Sequence, residues 1–186
     1  MLREKVALVP LATGVAVLGA VLSPAAQQLV GSSLPLHMAQ HALLVVVAAP
    51  LLARGLHRLA VPAARAGALV PAVVLFMLMV VLHIPPLIDL LEGTPLLHAG
   101  AHLALLVAAT AVWLFVQPGR ARLAPLPRML YLVALALAPM GAAVVLSLDL
   151  PSFDGALAGS VMAAVGTVFA AIGIGGWVMQ PEAAEA

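Results

Sequence analysis

Six long apolar runs, separated by short breaks of proline, glycine or charged residues, follow one another along almost the whole chain. A helix needs about 20 apolar residues to cross about 30 Å of hydrocarbon. The runs cover residues 6–22, 34–53, 68–88, 95–116, 129–148 and 156–179. Apolar residues make up 65% of the chain and charged residues 8%, a composition that soluble domains do not have. The sequence therefore predicts an all-α, polytopic transmembrane bundle of about six helices.

The predicted loops are too short to hold a hydrophobic core of their own, so residues 1–186 form a single transmembrane domain in this interpretation. Residues 1–27 also resemble a signal peptide, with a charged start, an apolar middle and small residues near the end. We expect this segment to be retained as the first helix.

The basic residues predict the orientation, because all eight Lys and Arg residues fall on one side of the six-helix arrangement. The first, third and fifth loops contain no Lys or Arg, and the third and fifth carry Asp89, Glu92, Asp149 and Asp154 instead. Basic loops stay in the cytoplasm, so both termini are expected to be cytoplasmic, in a multi-pass protein of the bacterial inner membrane. Trp113 and Trp177 would then both lie near the cytoplasmic interface, where indole rings are enriched. The basic residues are Arg3, Lys5, Arg54, Arg58, Arg65, Arg120, Arg122 and Arg128.

Several functional classes are excluded by what the sequence lacks. There is no basic run or aromatic platform for nucleic acid. The chain has no cysteine, so thiolate metal sites and disulfides are impossible. The motifs H-E-x-x-H and G-x-S-x-G and the phosphate-binding glycine loops are also absent. We therefore expect a protein that is not an enzyme and has no catalytic residues.

Five of the six histidines are predicted to lie at one depth in the outer half of the membrane. His37 and His41 form an H-x-x-x-H pair at the start of the second run, and His98 and His102 form another at the start of the fourth. Each pair lies on one helix face. His83 lies where the third run ends on the same side. The sixth histidine, His57, falls in a basic loop and is read as a solvated residue.

Ionisable residues inside a membrane point to function, and neutral imidazole is a ligand for copper, zinc, iron or nickel. The five histidines are therefore candidate metal ligands. Possible supporting residues are Met38, with a thioether suited to copper(I), and Asp89 and Asp154, which could orient imidazole rings. Met140 and Met162 are weaker candidates, since methionine in a bundle usually fills gaps.

A structural role for the histidines is the alternative, in which they bridge helices or bind backbone carbonyls. It is most plausible for His83, because Pro85 and Pro86 release the carbonyls of Val81 and Leu82 beside it.

The combined motifs resemble one family, the CtaG-type assembly factors of caa3-type cytochrome c oxidase. The resemblance covers roughly residues 34–176 and rests on five stretches of the sequence. These are the segment from His37 to Leu44, Ala49-Pro50-Leu51-Leu52, His83-Ile84-Pro85-Pro86, His98-x-x-x-His102 leading to Trp113-x-Phe115, and Asp154 to Gly159 with Met162 and Gly166. It implies His37, His41, His83, His98 and His102 as copper ligands and oxidase subunits as partners.

The leading expectation is therefore a membrane protein that accepts copper on the extracytoplasmic side and passes it to an oxidase subunit. Two alternatives stay open. In the first, one histidine from each pair holds the iron of haem b. In the second, the chain is a structural accessory subunit of a respiratory oxidase, and its histidines only connect helices.

Overall fold

The computed structural model describes residues 2–56, 65–116, 123–149 and 153–179. Within these residues every regular element is helical, which confirms the predicted all-α class. A π-helical segment, Leu43–Ala48, joins α3 to α4, and a short 3-10 helix, Arg65–Ala68, precedes α5. The α-helices are α1 (Leu2–Val21), α2 (Pro24–Val30), α3 (Leu34–Ala42), α4 (Ala49–Leu56), α5 (Leu69–Val81), α6 (Pro85–Glu92), α7 (Pro95–Val116), α8 (Pro125–Asp149) and α9 (Phe153–Val178).

Among the described residues, four continuous helices are long and apolar enough to cross a membrane. A fifth crossing results if α1 and α2, which meet at a bend of 54°, count as one span. The predicted count of six and the cytoplasmic location of both termini stay predictions. The four helices are Leu34–Leu56, Pro95–Val116, Pro125–Leu148 and Asp154–Val178.

The third predicted run differs from the expected single helix over residues 68–88. α5 has 13 residues and is therefore only about 20 Å long, which is too short to cross the hydrocarbon alone. The helix ends at Val81, and the next helix, α6, begins at Pro85. Ile84 is extended, with ψ of 122°, because the ring of a following proline disfavours the helical conformation. The break places His83 outside both helices.

α8 and α9 form the most extensive helix pair, and glycines allow them to approach closely. A Cβ added at Gly166 would lie 2.9 Å from the carbonyl oxygen of Ala136 and 2.7 Å from Cγ of Met140. A Cβ at Gly159 would lie 2.9 Å from the carbonyl oxygen of Ala143. Only a residue without a side chain fits at such a contact between helix backbones. The two helices therefore pack backbone against backbone along the pair.

The helix of residues 34–56 carries the first histidine pair at one end and Arg54 at the other. Its rise of 1.5 Å per residue separates His37 from Arg54 by about 25 Å, close to the thickness of the hydrocarbon. At the basic end of the bundle, Nη2 of Arg128 donates a hydrogen bond to the carbonyl oxygen of Gly176, 3.1 Å away, in the last turn of α9. Cationic groups are favourable there because helix C-termini carry unpaired carbonyls.

Trp113 is a core residue rather than the interfacial residue that its predicted depth suggested. It is 4% exposed and stacks on Phe169 with ring centroids 5.8 Å apart. Its Nε1–H donates to the carbonyl oxygen of Val45, 2.8 Å away, in the π-helical segment. Trp177 is 48% exposed, as an interfacial indole would be.

Candidate metal centre

Two helix starts and one helix break supply the five histidines. His37 and His41 lie in the first turns of α3, and His98 and His102 lie in the first turns of α7. Both helices begin with a proline in the first turn, where its missing N–H would have no partner in any case. The spacing of four residues places both members of each pair on one face.

The five imidazole rings form one cluster, called here the histidine cluster (His37, His41, His83, His98 and His102). Ring centroids of neighbouring members lie 4.4 to 5.7 Å apart, and most contacts are edge to face. His98 is half-buried and the other four are buried, with His83 only 1% exposed. The expected meeting of both pairs and His83 is therefore present in the structure. Their role as metal ligands stays a prediction.

Three members of the cluster form a nitrogen triad, which is His37, His98 and His102. One ring nitrogen from each lies within 4.8 Å of the other two. Three nitrogens bound to one ion at about 2.0 Å would be about 3.5 Å apart, so small side-chain movements would close the triad on an ion.

His102 has a defined proton position that leaves a nitrogen lone pair in the site. Its Nδ1 lies 3.1 Å from the carbonyl oxygen of His98, which only accepts, so Nδ1 carries the proton. In the neutral ring Nε2 then has the lone pair. This Nε2 is buried and has no hydrogen-bond partner among the described residues. A buried polar atom without a partner is costly, and a cation would satisfy it.

The remaining two members form the His41–His83 pair. Nδ1 of His41 lies 3.3 Å from Nε2 of His83. Nδ1 of His83 lies 2.6 Å from the carbonyl oxygen of Met79, in the last turns of α5. The structural alternative suggested the carbonyls of Val81 and Leu82 for this contact, whereas the structure shows the carbonyl of Met79. The turn before the break is tighter than an α-helical turn. The backbone N–H of His83 donates to the carbonyl oxygen of Val80, and that of Ile84 donates to the carbonyl oxygen of Val81.

Two spaces adjoin the cluster. An open cavity of about 540 Å³, the outer cavity, is lined by the triad, by the bend after α1 and by residues of α2 and α7, among them Gln27 and Val30. A second space of about 10 Å³, the inner void, is lined by His41 together with the triad. A void of that size holds about one water molecule or one ion. The triad therefore lies between an accessible cavity and a space of ionic size.

Neither Asp89 nor Asp154 belongs to the group of closely spaced ligand atoms that the triad forms. Met38 is fully buried, as is Met162, while Asp89 and Asp154 are exposed and Met140 is partly exposed. Whether any of them supports a metal stays a prediction. His57 lies outside the described residues.

Gln40, which the sequence did not mark as a candidate, is 3% exposed and connects α3 to the last residue of α1. Its Nε2 donates to the carbonyl oxygen of Val21, 2.9 Å away. The available signal was its spacing, since Gln40 lies three residues after His37 on nearly the same helix face.

A family model described as cytochrome c oxidase caa3 assembly factor matches residues 7–181. Neither the comparison with curated proteins nor that with solved structures gives a match.

Proposed function

This chain belongs to the cytochrome c oxidase caa3 assembly factor family, and we propose that it assists assembly as a copper carrier. In this proposal it takes copper on the extracytoplasmic side of the bacterial inner membrane and passes it to an oxidase subunit. Copper is its cargo, and no bond other than the metal–ligand bonds is made or broken. The observation that carries the proposal is the triad of His37, His98 and His102 beside an open cavity.

The chemistry of the donors fits copper. The group of closely spaced ligand atoms consists of three imidazole nitrogens and, within the described residues, contains no carboxylate. An ion bound there keeps its charge uncompensated, and burying charge in low dielectric is expensive. A monovalent ion therefore costs less than a divalent one. Copper(I) combines a single charge with affinity for imidazole nitrogen.

The geometry of the triad also fits the release of copper to an acceptor. Three nitrogens leave room for a further ligand, and the outer cavity gives an incoming group access to all three imidazoles. An acceptor subunit that presents its own ligands at this depth would exchange them for the imidazoles one at a time. His41 lines the inner void with the triad and is the candidate for a fourth nitrogen.

Haem b fits this arrangement less well than an ion does. Two axial histidines must lie on opposite faces of the macrocycle, which has to pass between their rings. The rings of the two helices instead contact one another at 4.8 to 5.7 Å between centroids, around a void of about 10 Å³. The accessory-subunit alternative is supported by the His41–His83 contact, which joins two helical segments as a structural histidine would.

A deletion strain tests the proposal, complemented with wild type, with His102→Ala or with His57→Ala as the matched control. Without the protein, or with His102→Ala, we expect oxidase polypeptides that lack copper, with activity partly restored by excess copper. Mass action gives the reason, because a higher free concentration replaces part of the carrier's effect. The control should behave as wild type. Normal oxidase copper in the deletion strain without supplementation would contradict the proposal. Activity that no added copper restores would favour an accessory subunit.

A further inference from the structure

The sequence makes all five histidines candidate ligands and a structural role most plausible for His83, and the hydrogen bonds of the His41–His83 pair show how His83 differs from the rest. A carbonyl oxygen only accepts, so the short contact to Met79 requires the proton on Nδ1 of His83. Burial away from water favours the neutral ring, whose Nε2 then carries the lone pair. Nε2 can therefore only accept from Nδ1–H of His41, at 3.3 Å. The lone pair of His41 is left on its Nε2.

The carbonyl of Met79 is available because of the break after α5. In a regular helix the N–H of residue 83 would bond to the carbonyl of residue 79. Here it bonds to Val80 at 3.3 Å, in the tightened turn that leads to the extended Ile84. The side chain of His83 replaces its own backbone N–H as the donor to Met79.

We infer that His83 is a positioning residue and not a copper ligand, and that it fixes the ring orientation and proton position of His41. This inference rests on the proposed function for the identity of the metal. Both nitrogens of His83 are occupied by the protein, whereas His41 keeps a lone pair. His41 lines the inner void, and His83 lines neither that void nor the outer cavity.

The orientation of His41 bears on the triad as well. The His41 ring contacts His37 edge to face, with centroids 4.5 Å apart and planes at 75°, and His102 at 4.8 Å and 67°. A fixed His41 therefore restricts the rotation of two triad rings. Metal-binding histidines commonly donate their other N–H to a carbonyl or a similar acceptor, which orients the ring and fixes the tautomer. His102 does this with His98, and His41 does it with His83.

Two variants separate positioning from ligation. His83→Phe keeps an aromatic ring but has no donor or acceptor, while His83→Gln carries an NH₂ donor group and a carbonyl acceptor on a single amide. In both variants we expect copper X-ray absorption to show the same number of imidazole ligands as in wild type. Copper affinity should fall about 10- to 100-fold in His83→Phe, as for the loss of other groups that orient a ligand, and should be recovered in His83→Gln. Loss of one imidazole ligand from the copper in either variant would overturn the inference. So would wild-type copper affinity in His83→Phe, or copper affinity that is reduced equally in the two variants.

A measurement without metal decides the inference independently of copper. Ring ¹⁵N shifts of the metal-free protein in nanodiscs should show His41 protonated on Nδ1 in wild type and in His83→Gln, and a mixture of tautomers in His83→Phe. Protonation of His41 on Nε2 in wild type would overturn the inference. Wild-type protein that binds no copper would instead contradict the proposed function and leave the tautomer result to decide the role of His83.

Discussion

Nε1–H of Trp113 donates to the carbonyl oxygen of Val45 at 2.8 Å and so joins the two helices that carry the histidine pairs. The carbonyl is available for a local reason. The N–H of Ala49 bonds to Leu44 in the π-helical segment, one residue before its usual partner Val45. Pro50, next along the chain, has no N–H to offer. The indole supplies the donor that the backbone of the helix lacks.

Removing this donor should destabilise the fold. Trp113→Phe keeps an aromatic ring against Phe169 but leaves the buried carbonyl of Val45 without its indole donor, at a cost of about 1–3 kcal/mol. We expect a lower melting temperature of the purified protein in detergent. Trp177→Phe is the matched control, because Trp177 is half exposed, and should leave the melting temperature unchanged. Equal melting temperatures for wild type and Trp113→Phe would show that the bond contributes nothing to stability.

Loss of one triad nitrogen should weaken copper binding. His102→Ala removes the Nε2 that has no hydrogen-bond partner among the described residues. We expect the affinity to fall by more than about 10-fold, at least as much as for a group that only orients a ligand. The check is copper titration of protein whose helix content by circular dichroism matches wild type. His57→Ala should bind as wild type does. Unchanged affinity in His102→Ala would indicate that the cluster is structural.

Two glycines of α9 should respond to alanine in opposite directions. In Gly166→Ala the new methyl group meets Ala136 and Met140 of α8, and crowding of this kind costs about 1–3 kcal/mol. In Gly175→Ala the methyl group meets nothing within 4 Å, so the substitution should stabilise by about 0.5–1 kcal/mol through reduced backbone entropy. Denaturant unfolding of the two variants in detergent measures the difference. A Gly166→Ala protein as stable as Gly175→Ala would show that α8 and α9 separate at no cost.

The segregation of Lys and Arg predicts which loops face outward. Cysteine placed at Ser32, Thr94 or Ser152 should react with an impermeant thiol reagent added to intact cells, because the predicted orientation places these three loops outside. Cysteine at Arg58 or Arg122 should react only after the membrane is opened. The absence of native cysteine makes each signal specific. Reaction of the second group in intact cells would reverse the orientation and place the histidine cluster on the cytoplasmic side.

The all-helical class and the meeting of the histidines could be predicted from the length of the apolar runs and from the spacing of the histidines. Apolar length predicts spanning helices, and a spacing of four residues aligns two side chains on one helix. The meeting of the histidines was predictable because His37 and His98 are each the fourth residue of a helix, so both pairs occupy the same position relative to a helix start.

Other features depend on which atoms approach in three dimensions. The sequence indicated that Pro85 frees carbonyls near His83, but the carbonyl that binds the ring is that of Met79, because the turn before the break is tighter than a regular helix. Likewise, nothing in the order of residues shows that the donor for Val45 comes from Trp113, 68 positions away. The tautomer of each histidine depends on such contacts, so the sequence could set His83 apart because of its prolines but could not predict its hydrogen-bond partners.

α2 lies outside the helices that bear the histidines, yet Gln27 and Val30 form part of the wall of the outer cavity. The 54° bend after α1 turns this short helix across the approach to the triad. Substitutions in α2 would therefore alter how fast an ion or an acceptor group reaches the imidazoles without altering the imidazoles themselves. Rate of exchange and strength of binding are thus set by different parts of the chain, so either could change in evolution while the other is preserved.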